Sequence, residues 1–139
     1  MIDIDNKTSL HVDIDFLEKL TSTLTDKDIE LIITSQDEIK NINKEYRGKD
    51  SSTDVLSFPY EDMPFTPLGS IVISSFHVEE KAKEFGHSTD DEFSLLFIHG
   101  LLHILGYDHE VDNGEMRDKE EEIIVKFNLP KSLIVRTQG

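Results

Sequence analysis

The stretch FIHGLLHILGYDHE, residues Phe97–Glu110, decides the fold of this chain and holds three of its six histidines. His99 and His103 are four residues apart, which on an α-helix is about 40° of rotation and ~6 Å of rise, so both imidazoles project from one face. Gly106 stands where the helix can end, because glycine accepts the left-handed conformation that closes a helix C-terminus. The chain can then turn back and bring His109 to the same point. Three nitrogen ligands with a fourth position open are typical of a catalytic zinc site.

A simpler interpretation of the histidine pattern is a set of hydrogen-bonded residues in an apolar core. The helix predicted over Phe93–Leu105 is apolar nearly all round and is therefore expected to run through the core. Histidines on such a helix cost desolvation unless they are paired or ligated. That cost, together with the glycine and the third histidine, favours a metal site.

The spacing HxxxHxxGxxH is also that of metzincin peptidases, in which a glutamate beside the first histidine acts as general base. Here that position is Gly100, which has no side chain and is predicted to leave room beside the metal. The missing base argues against proteolysis but not against hydrolysis, because a zinc-bound water can reach a pKa of about 7 without a carboxylate. A peptidase of unusual mechanism is the least favoured alternative.

Length and composition restrict the classes of protein that the chain can belong to. Its 139 residues predict one domain over 1–139, and the absence of cysteine leaves a metal only nitrogen and oxygen ligands. The formal net charge of −15 argues against nucleic-acid binding by the surface as a whole. The N-terminus MIDIDNK has no apolar signal core, and no apolar run approaches the ~20 residues of a membrane span. We therefore predict a cytoplasmic protein without membrane contact.

The spacing of apolar residues predicts strands and helices in the order βαβαββααα. Strands are predicted at Met1–Asp5, Ile29–Thr34, Asp54–Phe58 and Leu68–Ser74, the first at a sheet edge and the third at an edge or an end. Helices are predicted over Phe16–Leu24, Gln36–Tyr46, a segment ending at Gly86, Phe93–Leu105 and a last segment stopping before Pro130. Their predicted N-caps include Ser35, Thr89 and Asn113. The order indicates an α+β domain, a small mixed β-sheet of about four strands packed with helices, with a zincin-like metal helix in the core.

Three basic residues recur at helical spacing along the predicted Gln36–Tyr46 helix and directly after it, namely Lys40, Lys44 and Arg47. The pattern alone favours a solvated face of an amphipathic helix. The alternative is a basic stripe that contacts phosphates, which Asp37 near the same stripe weakens.

Three separated stretches of the chain resemble the YbeY family of bacterial metal-dependent endoribonucleases, which act in ribosomal RNA maturation and ribosome quality control. These stretches are INKEYRGKDSSTDVLSFPY (Ile42–Tyr60), LGSIVIS (Leu68–Ser74) and HGLLHILGYDHE (His99–Glu110). Length and element order agree as well, so the resemblance covers nearly the whole chain.

The resemblance implies one zinc ion held by His99, His103 and His109, and a functional arginine at Arg47. It implies cleavage of single-stranded RNA. Arg47 is expected to contact a phosphate, because a planar guanidinium can donate to two phosphate oxygens at once. Lys40 and Lys44 are its expected RNA-binding neighbours. The implied process is maturation of the 3′ end of small-subunit ribosomal RNA. The implied partners are ribosomal RNA and the ribosome, with a small-subunit ribosomal protein or the GTPase Era as further candidates.

The chain departs from the family pattern at Ser70, where an aspartate is usual. A hydroxyl can form a hydrogen bond but carries no charge, so a role for the family's aspartate does not transfer to this chain. Two further departures, Ser52 in place of proline and Ile104 in place of leucine, are interpreted as packing variation.

A second hypothesis makes the chain a non-catalytic ribosome-assembly or adaptor protein with a structural zinc site, since its acidity suits basic ribosomal proteins. The segment Glu110–Glu122 is then a docking surface, although the solvated face of a last helix is the simpler interpretation.

No general base is identifiable. Asp108 and Glu110 are candidates, and Asp108 is equally suited to orienting a histidine. The other histidines match no ligand spacing and are predicted to be surface or cap residues; they are His11, His77 and His87.

Overall fold

A computed structural model describes residues 1–130 and Leu133. Its strands are β1 (Ile2–Asn6), β2 (Ile29–Thr34), β3 (Val55–Pro59) and β4 (Gly69–Ser74). Its helices are α1 (Ile14–Ser22), α2 (Gln36–Arg47), α3 (Ser75–Phe85), α4 (Thr89–Ile104) and α5 (Glu115–Lys126). Within the described residues the order is βαβαββααα, which confirms the predicted sequence of elements.

The four strands form one sheet in the order β1-β2-β4-β3. The first three run parallel, and β3 pairs with β4 in the antiparallel direction, with Val55 opposite Ile73 and Pro59 opposite Gly69. The strands β1 and β3 are therefore the edges, as predicted. Pro59 lies at the end of an edge strand, where the lack of an N–H is tolerated. The predicted small mixed sheet packed with helices is confirmed.

Helices cover both faces of the sheet, because side chains alternate along each strand. One face, which includes Leu31 and Ile71, packs in the main core with residues of α1, α4 and α5. The other face packs on α2, where Leu56 and Val72 meet Ile39. Burial on both faces explains why β2 reads as a nearly continuous apolar run.

Helix α4 runs through the core, with most of its side chains buried, and packs against β3, β4, α3 and α5. Its close approach to the sheet requires Gly100, where an added Cβ would lie 2.9 Å from Ile71 Cγ2 and 3.2 Å from Ser57 Oγ. The prediction that Gly100 leaves room beside the metal is therefore wrong. The sheet fills that space, and the residue is a glycine because the helix and strands are in contact.

Serine side chains cap α2 and α4, and two of the predicted N-caps are displaced by one residue. Ser35 caps α2 as predicted, with its Oγ accepting from Glu38 N–H. Ser88, not Thr89, caps α4. Gly114, not Asn113, is the N-cap of α5.

Helix α5 begins without a side-chain cap at its N-cap residue, and a nearby carboxylate takes that role. Asp112 accepts 2.9 Å hydrogen bonds from the N–H groups of Gly114 and Met116. These backbone donors hold the pKa of Asp112 below its usual range, because they stabilise its ionised form. These hydrogen bonds therefore connect the first turn of α5 to the turn that follows the histidine motif.

Among the described residues, no helix combines the length and apolar character needed to cross a bilayer.

Gly100→Ala tests whether α4 depends on contact with the sheet. Overpacking of a core costs about 1–3 kcal/mol, and the better helix propensity of alanine offsets up to about 1 kcal/mol of that. We expect the free energy of unfolding to fall by about 1–2 kcal/mol in urea denaturation. Lys83→Ala, at an exposed position of α3, is the control and should change little. A Gly100→Ala protein as stable as the parent would contradict the packing account.

Candidate metal centre

His99, His103 and His109 come together at the C-terminal end of α4. One ring nitrogen from each lies within 4.8 Å of the others, so the three can hold a metal ion. His99 and His103 share a face of the helix, and their Nε2 atoms are 3.1 Å apart. Gly106 adopts a φ of +106° after the helix, and the turn that follows delivers His109. The predicted convergence of the three histidines is confirmed.

The other nitrogen of each helical histidine is held by a fixed acceptor. His99 Nδ1 lies 2.8 Å from Glu120 Oε1, and His103 Nδ1 lies 3.1 Å from the Tyr107 carbonyl oxygen. Since both acceptors lack a proton to give, each Nδ1 carries the hydrogen and donates it. Each Nε2 therefore presents a lone pair, which is the form that binds a metal.

This donor set fits a metal ion of the zinc type. Two lone pairs that face each other at 3.1 Å repel unless a proton or a cation lies between them. Two imidazole nitrogens bound to one tetrahedral zinc are about 3.4 Å apart, given a Zn–N bond of about 2.1 Å. Neutral imidazoles suit zinc, copper, nickel and iron, and they do not suit magnesium or calcium, which prefer oxygen ligands.

Burial favours the neutral form of His103, whereas the cluster is open to solvent on one side. Desolvation lowers the pKa of His103, and the neighbouring His99 and His109 lower it further. His109 is exposed, whereas His99 and His103 are half-buried. The cluster is thus reached by solvent on the His109 side, which is where an additional ligand can enter.

Glu120 is the site residue that the sequence pattern missed. It was predicted to belong to the solvated acidic face of the last helix, yet it is only 4% exposed and contacts His99. The Ile123 and Ile124 that follow it are buried as well, and Glu120 falls on their side of α5. The available sequence signal was that Glu120 lies about one helical turn before Ile123 and Ile124, a spacing that places it on their buried side of α5.

Asp108 does not orient a histidine by hydrogen bonding. Its Oδ1 accepts from Glu110 N–H, and its carbonyl oxygen accepts from Val111 and Asp112 N–H. Asp108 therefore shapes the turn around His109, and the groups that contact Nδ1 of the helical histidines are Glu120 and the carbonyl of Tyr107.

The remaining histidines lie outside the cluster, in agreement with their lack of ligand spacing. His11 is exposed, and His77 bonds to Ser74 at the N-cap of α3. His87 follows the C-cap of α3, but the surface alternative is wrong for its side chain. That side chain is 4% exposed and pairs with buried Glu92 at 2.8 Å.

The three basic residues of α2 differ in their partners. Lys40 and Lys44 lie 3.9 and 4.0 Å from the carboxylate oxygens of Asp50, an exposed pairing of little strength. Arg47 is exposed and forms no hydrogen bond or ion pair with residues 1–130, the three histidines included. Gly48, with a φ of +70°, ends the helix directly after it.

Ser70 is buried in β4 on the face that Val72 shares with α2. Glu30, the partner of Ser70 in β2, accepts a 2.8 Å hydrogen bond from the Tyr60 hydroxyl. Ser70 therefore lies beside a polar contact on the face of the sheet opposite α4.

Fold and site together define a small mixed α/β protein with a three-histidine cluster, on a core helix and the turn after it, that can hold a metal ion. The chain matches the family model described as Endoribonuclease YbeY over residues 3–128. It is 65% identical over 139 residues to endoribonuclease YbeY of Sulfurimonas denitrificans, with all of both chains covered. It is 54% identical over 139 residues to that of Helicobacter pylori, with 99% of each chain covered.

A solved structure shares the fold. The solution structure of TM1509 from Thermotoga maritima superposes with a TM-score of 0.62 at 32% identity, covering 91% of this chain and 89% of that one. The chain belongs to the endoribonuclease YbeY family, and the resemblance predicted from its motifs is confirmed.

Zinc added to the metal-free protein should raise its unfolding temperature, because a ligand that binds only the folded state stabilises it by about 2.7 kcal/mol at a hundredfold excess over Kd. His109→Ala should abolish the rise, since it removes an exposed ligand without disturbing the core. His11→Ala changes a different exposed histidine and should retain it. Differential scanning fluorimetry at matched zinc concentrations makes the comparison. Equal shifts in the parent and His109→Ala proteins would exclude His109 as a ligand.

Proposed function

We propose that this protein is a zinc-dependent endoribonuclease that cuts single-stranded RNA in the cytoplasm. The substrate we propose is the 3′ end of small-subunit ribosomal RNA, within ribosome maturation and quality control. The observation that carries the proposal is the cluster of His99, His103 and His109 in a chain of the endoribonuclease YbeY family.

The three histidines are the proposed zinc ligands and part of the catalytic machinery. A zinc ion held there would supply Lewis acidity toward a phosphoryl oxygen and would lower the pKa of a water molecule. The protein's own contribution is to fix the rings, through Glu120 on His99 and the Tyr107 carbonyl on His103. The exposure of His109 supports entry of a phosphodiester from that side.

Arg47 is the proposed phosphate contact, and its place in the fold supports this role. Tyr46, beside it, packs on Phe58 with ring centroids 5.8 Å apart. Phe58 lies opposite Ser70, next to Gly69, and an added Cβ at Gly69 would lie 3.1 Å from Ile104 of α4. The C-terminal turns of α2 and α4 therefore adjoin the same end of the sheet, beside its edge strand β3.

An RNA strand lying across this edge would meet the guanidinium on one side and the histidines on the other. A guanidinium without an acidic partner can stabilise charge that develops on a phosphate. Lys40 and Lys44 share Asp50, so they are the weaker RNA contacts in this proposal. Asp108 and Glu110 flank His109 and are the candidate bases.

A second candidate is a ribosome-assembly protein whose metal is structural. The observation that favours it is the net charge of −15, with exposed acidic side chains along α5 at Glu115, Asp118, Glu121 and Glu122. Such a surface suits a basic partner. A small-subunit ribosomal protein and the GTPase Era are the partners we propose for it.

Arg47→Ala should lower the rate of single-stranded RNA cleavage about 10²- to 10³-fold, the usual cost of removing one donor to developing charge. Zinc content should stay equal to that of the parent. Arg47→Lys keeps the charge but loses the forked donors, so it should be intermediate. Lys83→Ala removes an exposed cation of α3 and is the matched control. Unchanged cleavage by Arg47→Ala at equal zinc content would remove Arg47 from the mechanism.

The two candidates differ in what a folded but inactive variant can do. If the protein acts as a nuclease, cells that carry only the Arg47→Ala variant should accumulate small-subunit RNA with unprocessed 3′ ends. If it acts as an assembly protein, the same cells should process that RNA normally while His103→Ala, which disturbs the metal, should fail. The 3′ ends of the small-subunit RNA are located by adaptor ligation and sequencing, and protein levels are checked by immunoblot. Together these measurements separate the two candidates.

A further inference from the structure

Glu120 is a buried carboxylate within the acidic segment Glu110–Glu122, most of whose acidic side chains are exposed. It is 4% exposed, whereas the following residues Glu121 and Glu122 are exposed. Burying an ionised carboxylate is strongly unfavourable unless it is paired and hydrogen-bonded. Glu120 is therefore in an energetically unfavourable position that some contact must offset.

The contact that offsets it is with His99. Glu120 Oε1 lies 2.8 Å from His99 Nδ1, and among the described residues no lysine or arginine bonds to the carboxylate. The pair joins α5 to α4 across 21 residues of sequence. The stabilisation of the buried charge thus comes from a ring whose other nitrogen faces the metal cluster.

We propose that Glu120 is the positioning residue that fixes His99 as a metal ligand and raises the affinity of the centre for zinc. Its carboxylate accepts the Nδ1 hydrogen, which leaves Nε2 as the lone-pair donor and sets the plane of the ring. An anionic acceptor also makes the ring more electron-rich than a neutral one does. The proposal rests on the zinc site of the proposed function.

His99 and His103 differ in the acceptor that their Nδ1 contacts. His103 donates its Nδ1 hydrogen to a neutral backbone carbonyl, which no side-chain substitution can remove. His99 depends on a side chain from another helix. Glu120 is consequently the point at which the packing of α5 affects the metal centre, and zinc binding in turn strengthens the contact between α4 and α5.

Zinc affinity of three variants tests this role. Glu120→Ala removes the acceptor, Glu120→Gln keeps an acceptor but removes the charge, and Glu121→Gln removes an exposed charge one residue away. We expect Glu120→Ala to bind zinc about 10- to 100-fold more weakly than the parent, with Glu120→Gln between them. Glu121→Gln should match the parent. Titration of the metal-free proteins with zinc against a chelator of known affinity, at one fixed pH, measures all four.

A second readout separates positioning from mere loss of stability. Nitrogen-15 spectra of the histidine rings report which nitrogen carries the hydrogen, and urea unfolding of the metal-free proteins reports stability. The parent should show His99 protonated at Nδ1 with zinc bound, and Glu120→Gln should show a shifted Nδ1 signal even if its stability is unchanged. If Glu120→Ala does not fold, Glu120→Gln decides the question.

The outcomes distinguish this inference from the function it rests on. Absence of zinc binding by the parent would overturn the proposed zinc site itself. Binding by the parent together with equal affinity in both Glu120 variants would overturn the positioning role and leave the proposed function intact. A loss of stability without a change in zinc affinity would assign Glu120 a structural role only.

Discussion

The packing of α4 against its neighbours is the interaction on which the rest of this structure depends. The helix contacts β3, β4, α3 and α5, and Gly100 lets its backbone approach the sheet closely. Their i, i+4 spacing keeps His99 and His103 on one face of α4, with Nε2 atoms 3.1 Å apart, and the packing of the helix fixes the direction of that face toward His109 and Glu120. The core therefore maintains a repulsive arrangement that a cation would relieve, and the free energy of folding is used to organise a metal centre in advance.

Charge acts on two length scales in this protein. The net charge of −15 sets the long-range field, which repels a polyanion such as RNA. Salt screens that field over about 8–10 Å, so close contacts are decided by local groups. Arg47 forms no ion pair within residues 1–130, whereas Lys40 and Lys44 share Asp50. In the proposed function, this acidic chain would recognise a phosphate through a single guanidinium and a metal, without a basic surface.

The sequence predicted much of this fold because its signals are local. Apolar spacing marked each element, and the histidine spacing with Gly106 identified the metal cluster. The errors arose at residues whose role is decided by tertiary contacts. The role of Gly100 depends on strands that lie elsewhere in the sequence, and the strand order could not be derived from periodicity. The pattern does not reveal Glu120, because an acidic run looks solvated until the position of α5 is known. The prediction of a surface or cap residue at His87 did not include its pairing with buried Glu92.

The most direct test of this account is RNA cleavage by the purified parent protein beside an identically prepared His103→Ala variant, on a fragment from the 3′ end of small-subunit ribosomal RNA. Both proteins are assayed after metal removal and again after zinc is restored. The account predicts cleavage by the parent only, and only with zinc present. Equal cleavage by both proteins, or cleavage by neither, would contradict a nuclease centred on these histidines and would favour the assembly-protein alternative.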